Sequence, residues 1–208
     1  MSLRGIYAIT DNALSPGSAL LSAAQKALEG GIKMLQFRDK SPDHDRRLTQ
    51  ARALQALCAE FNVPLIINDD VQLCLTSGAA GVHLGQADAS VLAARKILGK
   101  NAVIGVTCHA DIELAVKAEQ AGASYVAFGR FFPSVTKPNA PAADLDVLRR
   151  ARERLSIPIA AIGGINADNA GEIIAAGADL LAVINYLFSS QDVEGRTRQL
   201  GAHFNQPD

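Results

Sequence analysis

Apolar residues along this chain collect in short, nearly continuous runs rich in Ile, Val, Leu and Ala. The runs are separated by longer stretches in which apolar positions recur every three or four residues. They are IYAIT (6–10), MLQF (34–37), LIIN (65–68), GVHLG (81–85), VIGVT (103–107), YVAFG (125–129), IAAIGG (159–164) and LLAVIN (180–185). Runs of this length, apolar at consecutive positions, read as strands buried on both faces, which is the pattern of a parallel sheet covered by helices. Between them ALLSAAQKALEGG, RRLTQARALQALCAEF, SVLAARKILG, IELAVKAEQAG, LDVLRRARERL and NAGEIIAAG read as helices, several stopping at Gly.

Successive strands start about 15 to 35 residues apart, enough for a right-handed βαβ crossover each time. Eight such units predict an α/β protein, a closed (β/α)8 TIM barrel. At 208 residues the whole chain, 1–208, is read as a single catalytic domain. An open doubly wound sheet is the alternative, but its first turn should carry GxGxxG, and here the first strand leads into ITDNALSPG. One long irregular connection, FFPSVTKPNAPAA (131–143), holds three prolines and interrupts the alternation; closure of this loop over a ligand is expected.

Charge narrows the function. Lys+Arg number 20 against Asp+Glu 21, a net charge of −1, and no basic stretch forms a groove for nucleic acid. No apolar run approaches the roughly 18 to 20 residues that span a bilayer, and MSLRGIYAIT shows no secretory h-region, so a soluble, cytoplasmic protein is expected. Its partners are then small molecules, and self-association into a homo-oligomer is left open. Cys58, Cys74 and Cys108, odd in number and without CxxC spacing, are expected to be reduced core residues.

In a (β/α)8 barrel the reactive groups stand at the C-terminal ends of the strands, and polar residues do gather there. Strand two ends Gln36-Phe37-Arg38-Asp39-Lys40, strand three ends Asn68-Asp69-Asp70, strand four leads to His83 and on to Asp88, strand five ends Thr107-Cys108-His109, and strand six enters Ser134-Val135-Thr136-Lys137. Gln36 and Arg38 share one face of their strand, with Lys40 just beyond, so two cations can converge on an anion. A surface salt bridge with Asp39 or Asp43 is the competing role. Asp69 and Asp88, at neighbouring strand ends, can approach one cation. Mg2+ takes one or two carboxylates together with phosphate oxygens and water, so with Arg38, Lys40 and Lys137 a Mg2+–pyrophosphate pocket is expected. The competing role is capping of the next helix, which suits one of Asp69 and Asp70 better than both. Gly163 and Gly164 after strand seven, with Ile184 and Asn185 at the end of strand eight, occupy the place where many barrels bind phosphate through backbone N–H groups. His83 is read as a hydrogen-bonded core histidine, and His109 as either structural or an acid/base group.

The motifs QFRDK, INDD, GVHLGQAD and FGRFFPSVTKP, followed by AIGGI, resemble thiamine-phosphate synthases in order and spacing over nearly the whole chain. That resemblance implies a Mg2+-dependent transferase that joins hydroxymethylpyrimidine diphosphate to a carboxylated thiazole phosphate, releasing pyrophosphate and CO2 through a pyrimidine-methyl cation. It further implies that Gln36, Phe37, Arg38, Asp39, Lys40 and Asn68 form the pyrimidine-diphosphate site, with Thr107 beside the pyrimidine and diphosphate. Asp69 and Asp88 would be the metal ligands. Ser134, Val135, Thr136 and Gly164 would bind the thiazole phosphate with Ile184 and Asn185, and Lys137 the diphosphate; Arg38, Lys40, Thr107 and Lys137 would carry the catalysis. Asp39 stands where Glu is common, Ser134 where Thr is frequent and Asn185 where Ser is common. A thiazole tautomerase on the same fold, with His109 as acid/base, and a non-catalytic sensor of phosphorylated ligands are the alternatives.

Overall fold

A computed structural model describes residues 3–133 and 142–205. Eight parallel strands close on themselves in chain order: β1 (Gly5–Ile9), β2 (Met34–Phe37), β3 (Leu65–Asn68), β4 (Gly81–Leu84), β5 (Val103–His109), β6 (Tyr125–Gly129), β7 (Ile159–Ile162) and β8 (Leu180–Val183). The seam is the pairing of β8 with β1, in register from Gly5↔Leu180 to Ala8↔Val183. The barrel expected from the apolar runs is therefore the fold, and the open sheet is excluded.

The period-two alternation of each strand sorts its side chains into two cores. Ile6, Ala8, Leu35, Phe37, Ile67, Val82, Ile104, Val126 and Val183 face outward and meet the helices. Tyr7, Ile9, Met34, Ile66, Tyr125, Ala160, Leu180 and Ala182 face inward and fill the barrel. Around it lie α1 (Ala19–Glu29), α2 (His44–Glu60), α3 (Val71–Ser77), α4 (Val91–Leu98), α5 (Ile112–Gln120), α6 (Asp146–Arg154), α7 (Ala170–Ala175), α8 (Asn185–Phe188) and α9 (Val193–Gly201). Asp43, Asp70, Ser90, Asp111 and Asp192 cap α2, α3, α4, α5 and α9 by accepting backbone N–H groups that have no partner within the helix.

Two strand ends differ from the sequence reading. β5 continues through Cys108 to His109, with a shift of register against β6 between Thr107 and His109. β8 stops at Val183, and Asn185 opens the short helix α8 instead of ending the strand. The apolar run LLAVIN hides this break, because Ile184 continues the hydrophobic pattern while its backbone (φ −116°, ψ −80°) has left the extended region. No described helix is long and apolar enough to cross a membrane.

Candidate active site

Two adjoining cavities open at the C-terminal mouth of the barrel. The larger, about 540 Å3, is lined by Gln36, Arg38, Lys40, Asn68, Asp69, Asp88 and Thr107, together with Tyr7, His83, His109 and Arg130. The smaller, about 240 Å3, lies over the ends of β7 and β8, between Gly163, Gly164, Asn166, Ile184, Asn185 and Arg196. Ile162, Gly163, Ala182 and Ile184 line both, so the cavities share a wall.

Each polar side chain in the larger cavity is aimed by a local device. The Arg38 guanidinium is paired with Asp11 at 3.1 Å, and its backbone N–H donates to Thr10 Oγ1. Asp69 adopts a left-handed backbone (φ 63°), which Asp tolerates better than most residues, and this frees its carboxylate from the helix that follows. Asp70 alone caps α3, through Leu73 N–H at 2.8 Å. The Asp69 carboxylate meets the Lys40 ammonium instead. Burial works against charge on Asp69. Hydrogen bonds with Lys40 and Asp88 and the positive charge of Lys40 outweigh that effect and hold its pKa below the usual carboxylate range. Asp88 is oriented by accepting from Gly85 N–H at 2.7 Å.

Asp69 and Asp88 therefore line the same cavity, with Asp69 kept ionised. Among the described residues no group of three or more His, Cys, Asp and Glu forms a cage supplied by the protein alone. The carboxylate pair beside two cations suits a hard cation completed by ligand oxygens and water, which is the preference of Mg2+.

Not every expected residue reaches the cavity. The Phe37 side chain turns outward into the helix layer, as the alternation with Gln36 requires. Asp39 is buried away from the cavity, accepting from Ser41 N–H at 2.7 Å and pairing with Arg46 at 3.0 Å, so it builds the β2–α2 turn. Arg38 and Lys40 pair with Asp11 and Asp69, not with Asp39 or Asp43. Cys108 faces outward and is fully buried, and burial pushes its thiol up to about 12, which rules it out as a ready nucleophile. Ser134, Val135, Thr136 and Lys137, and with them the expected loop closure, lie outside the described residues.

Gly164 (φ 65°) lines the smaller cavity, and a Cβ on it would stand 2.4 Å from Pro133 O and 2.7 Å from Phe132 Cβ. Only glycine brings the backbone that close while keeping this conformation. Residues absent from the sequence-level site also appear. Asp11 positions Arg38, Arg196 enters from α9 with its guanidinium donating to Tyr186 O and lying over the Tyr186 ring, and Tyr7 and Tyr125 meet across the barrel. Inward-facing polar residues within apolar runs were the available signal for the tyrosines.

A (β/α)8 barrel whose mouth offers paired carboxylates, converging cations and a glycine-walled second cavity has the makeup of an enzyme for phosphorylated substrates. Residues 6–187 match the family model for thiamine monophosphate synthase, and the chain belongs to that family. It is 51% identical over 203 residues to the thiamine-phosphate synthase of Nitrosococcus oceani, covering 98% of this chain and 94% of that one. It is equally identical over 202 residues to that of Marinobacter nauticus, covering 96% and 90%. Thiamine phosphate pyrophosphorylase from Pyrococcus furiosus superposes with a TM-score of 0.89 at 32% identity, over 98% and 96% of the two chains. A 3-hexulose-6-phosphate synthase at 16% identity and TM-score 0.71 shares the fold.

Proposed function

We propose that the protein is a cytoplasmic, Mg2+-dependent thiamine-phosphate synthase. It couples 4-amino-2-methyl-5-hydroxymethylpyrimidine diphosphate to carboxythiazole phosphate, giving thiamine phosphate, pyrophosphate and CO2. The observation that carries this reading is the convergence of Arg38, Lys40, Asp69 and Asp88 with Gln36, Asn68 and Thr107 on one cavity that shares a wall with a second. Two ligands joined in one reaction need two adjacent sites.

In this reading the pyrimidine diphosphate occupies the larger cavity and the thiazole phosphate reaches toward Gly164, Ile184 and Asn185. The bond between the pyrimidine methylene and the diphosphate oxygen breaks with its electron pair leaving on oxygen. The thiazole nitrogen then gives its lone pair to the methylene carbon and becomes a thiazolium. The ring carboxylate leaves as CO2, its bonding pair stays on the ring carbon, and that carbon takes a proton from solvent to give thiamine phosphate. Arg38 and Lys40 stabilise the charge that builds on the leaving diphosphate, an electrostatic role that is strongest where water is excluded. Asp69 and Asp88 would hold Mg2+, which when bound supplies further neutralisation of the diphosphate. Lys40, paired with Asp69 without ligands, is placed to exchange that carboxylate for a phosphate oxygen. Lys137 and the Ser134–Thr136 segment are assigned to the diphosphate and thiazole phosphate on the family pattern.

Incubating the protein with both substrates and Mg2+ should yield thiamine phosphate and pyrophosphate in equal amounts, and omitting the cation should abolish both. Proton exchange on the thiazole without pyrophosphate would instead establish the tautomerase. Tight binding without turnover would establish the sensor. His109, exposed on the cavity rim, is the one group the tautomerase reading employs, and that reading leaves the carboxylates and cations without a use.

A further inference from the structure

The two cavities differ in charge. The wall of the larger carries both signs, Arg38 and Lys40 beside Asp69 and Asp88. Among the described residues that line the smaller, Arg196 alone is charged, and no carboxylate stands there. Arg196 belongs to α9, beyond residues 6–187 that match the family model, and none of the motifs at the strand ends contains it.

Two short helices hold its guanidinium in place. Nη1 donates to Tyr186 O on α8 at 2.7 Å, and the guanidinium carbon sits 4.8 Å from the centre of the Tyr186 ring. The ring is fixed in turn, because the Tyr186 hydroxyl bonds the side-chain amide of Gln199, back on α9, at 2.8 Å. An arginine stacked on a ring and bonded at one nitrogen has little freedom left to lose when it meets a ligand.

What Arg196 lacks is a counter-charge. Three other arginines of similar partial burial are neutralised, Arg38 by Asp11, Arg47 by Asp70 and Arg152 by Asp179. Arg196 pairs with no carboxylate among the described residues, although the same helix pairs Arg198 with Glu194. The Tyr186 carbonyl offsets only part of a full positive charge, and a half-buried cation without a counter-ion is costly. The polar neighbour Asn166 adds no charge, and its side-chain oxygen accepts from Asp168 N–H and Asn169 N–H in the β7–α7 turn. An anion in the cavity would supply the missing charge, and a guanidinium meets phosphate with several donors at once.

We infer that Arg196 is the anion receptor of the smaller cavity. It takes the phosphate of the second substrate, and so makes the site select the phosphorylated thiazole over the corresponding alcohol. Tyr186 and Gln199 are positioning residues for it. The identity of the ester rests on the proposed reaction, whereas the demand of the cavity for an anion does not.

Calorimetric titration in the presence of Mg2+ and pyrophosphate tests the inference without turnover. The wild type should bind carboxythiazole phosphate at least about 30-fold more tightly than the dephosphorylated alcohol, the scale of a charge-assisted hydrogen bond. Arg196→Gln should weaken the ester by about 30-fold and leave the affinity for the alcohol and the Tm close to wild type. Equal ester affinity in the two proteins overturns the inference, as does a loss shared equally by ester and alcohol, which would mean that the arginine only braces α8. No preference for the ester in the wild type overturns it too. Arg196→Lys, which keeps the charge but not the planar fork, should lose about fivefold, and it decides the matter should Arg196→Gln fail to fold. Arg198→Gln, on the same helix and paired with Glu194, should bind both compounds like the wild type. Arg196-dependent binding of the ester without turnover on adding the pyrimidine diphosphate would sink the proposed reaction and leave the receptor standing. Turnover with a KM for the ester that Arg196→Gln does not change would do the reverse.

Discussion

Asp88 is the residue at which the metal reading is most exposed to test. Its carboxylate lines the larger cavity with Asp69, and the tight turn through Gly85 N–H orients it without tying it into a helix. Asp88→Ala should lower Mg2+-dependent turnover by about 100-fold, in the range found when one electrostatic contact to a developing charge is removed. Its circular dichroism and Tm should stay close to wild type, and unchanged turnover would remove Asp88 from the site. Asp69 has a folded pKa below its unfolded one, so its charge favours the folded state at any pH above the ordinary Asp range, and that contribution fades only as pH falls through the lowered value. The thiols behave in the opposite sense. Cys58, Cys74 and Cys108 are each pushed from 9.0 up to about 12 by burial, so they favour the fold below pH 9 and cease to do so as pH rises toward 12. Native protein at pH 8 should accordingly resist a disulfide-exchange reagent and release three thiols on unfolding in guanidinium. Rapid labelling of Cys108 in the native state would return it to consideration as a nucleophile.

At the scale of elements, Gly105 on β5 shows how strand packing reaches the chemistry. Its missing side chain admits the Tyr125 ring from β6, and Gly105→Ala would force that ring to move. Overpacking of this kind costs about 1 to 3 kcal/mol. Urea unfolding should show a loss in that range, with KM for the pyrimidine diphosphate raised; unchanged stability would mean that the barrel interior yields more easily than its packing implies. The strands themselves were legible in the sequence, because side chains buried on both faces leave continuous apolar runs, and MLQF, LIIN and YVAFG coincide with β2, β3 and β6. What composition does not encode is where the backbone turns within such a run. LLAVIN therefore concealed the start of α8, and the bulge that carries β5 on to His109 left no mark in VIGVT. Phe37 and Asp39 were drawn into the site by their neighbours in QFRDK, although the alternation of β2 turns Phe37 outward and the β2–α2 turn claims Asp39. The tyrosines went unread because they lie 118 residues apart and meet only once the barrel closes.

For the whole molecule, the two ends of the barrel divide the tasks of reacting and staying folded, as (β/α)8 enzymes commonly do. The cavities lie at the C-terminal mouth, whereas the opposite end is tied by Asp179. Its backbone joins β7 to β1 through Ile159 and Gly5, and its carboxylate accepts from Ile159 N–H and pairs with Arg152 at 2.7 Å. Arg152 in turn donates to the carbonyls of Leu155 and Ile157. Arg152→Ala removes these bonds at a partly exposed site, so a loss of about 1 to 2 kcal/mol is expected, with kcat and both KM values unaltered. Ligand binding separates the two ends more sharply than either variant alone. Pyrophosphate with Mg2+ stabilises whichever protein binds it, by mass action, and should raise the Tm of the wild type and of Arg152→Ala by the same increment. Asp88→Ala should begin at the wild-type Tm and gain little. A smaller increment in Arg152→Ala would show that the base of the barrel communicates with its mouth, and that stability and catalysis are coupled across the eight strands.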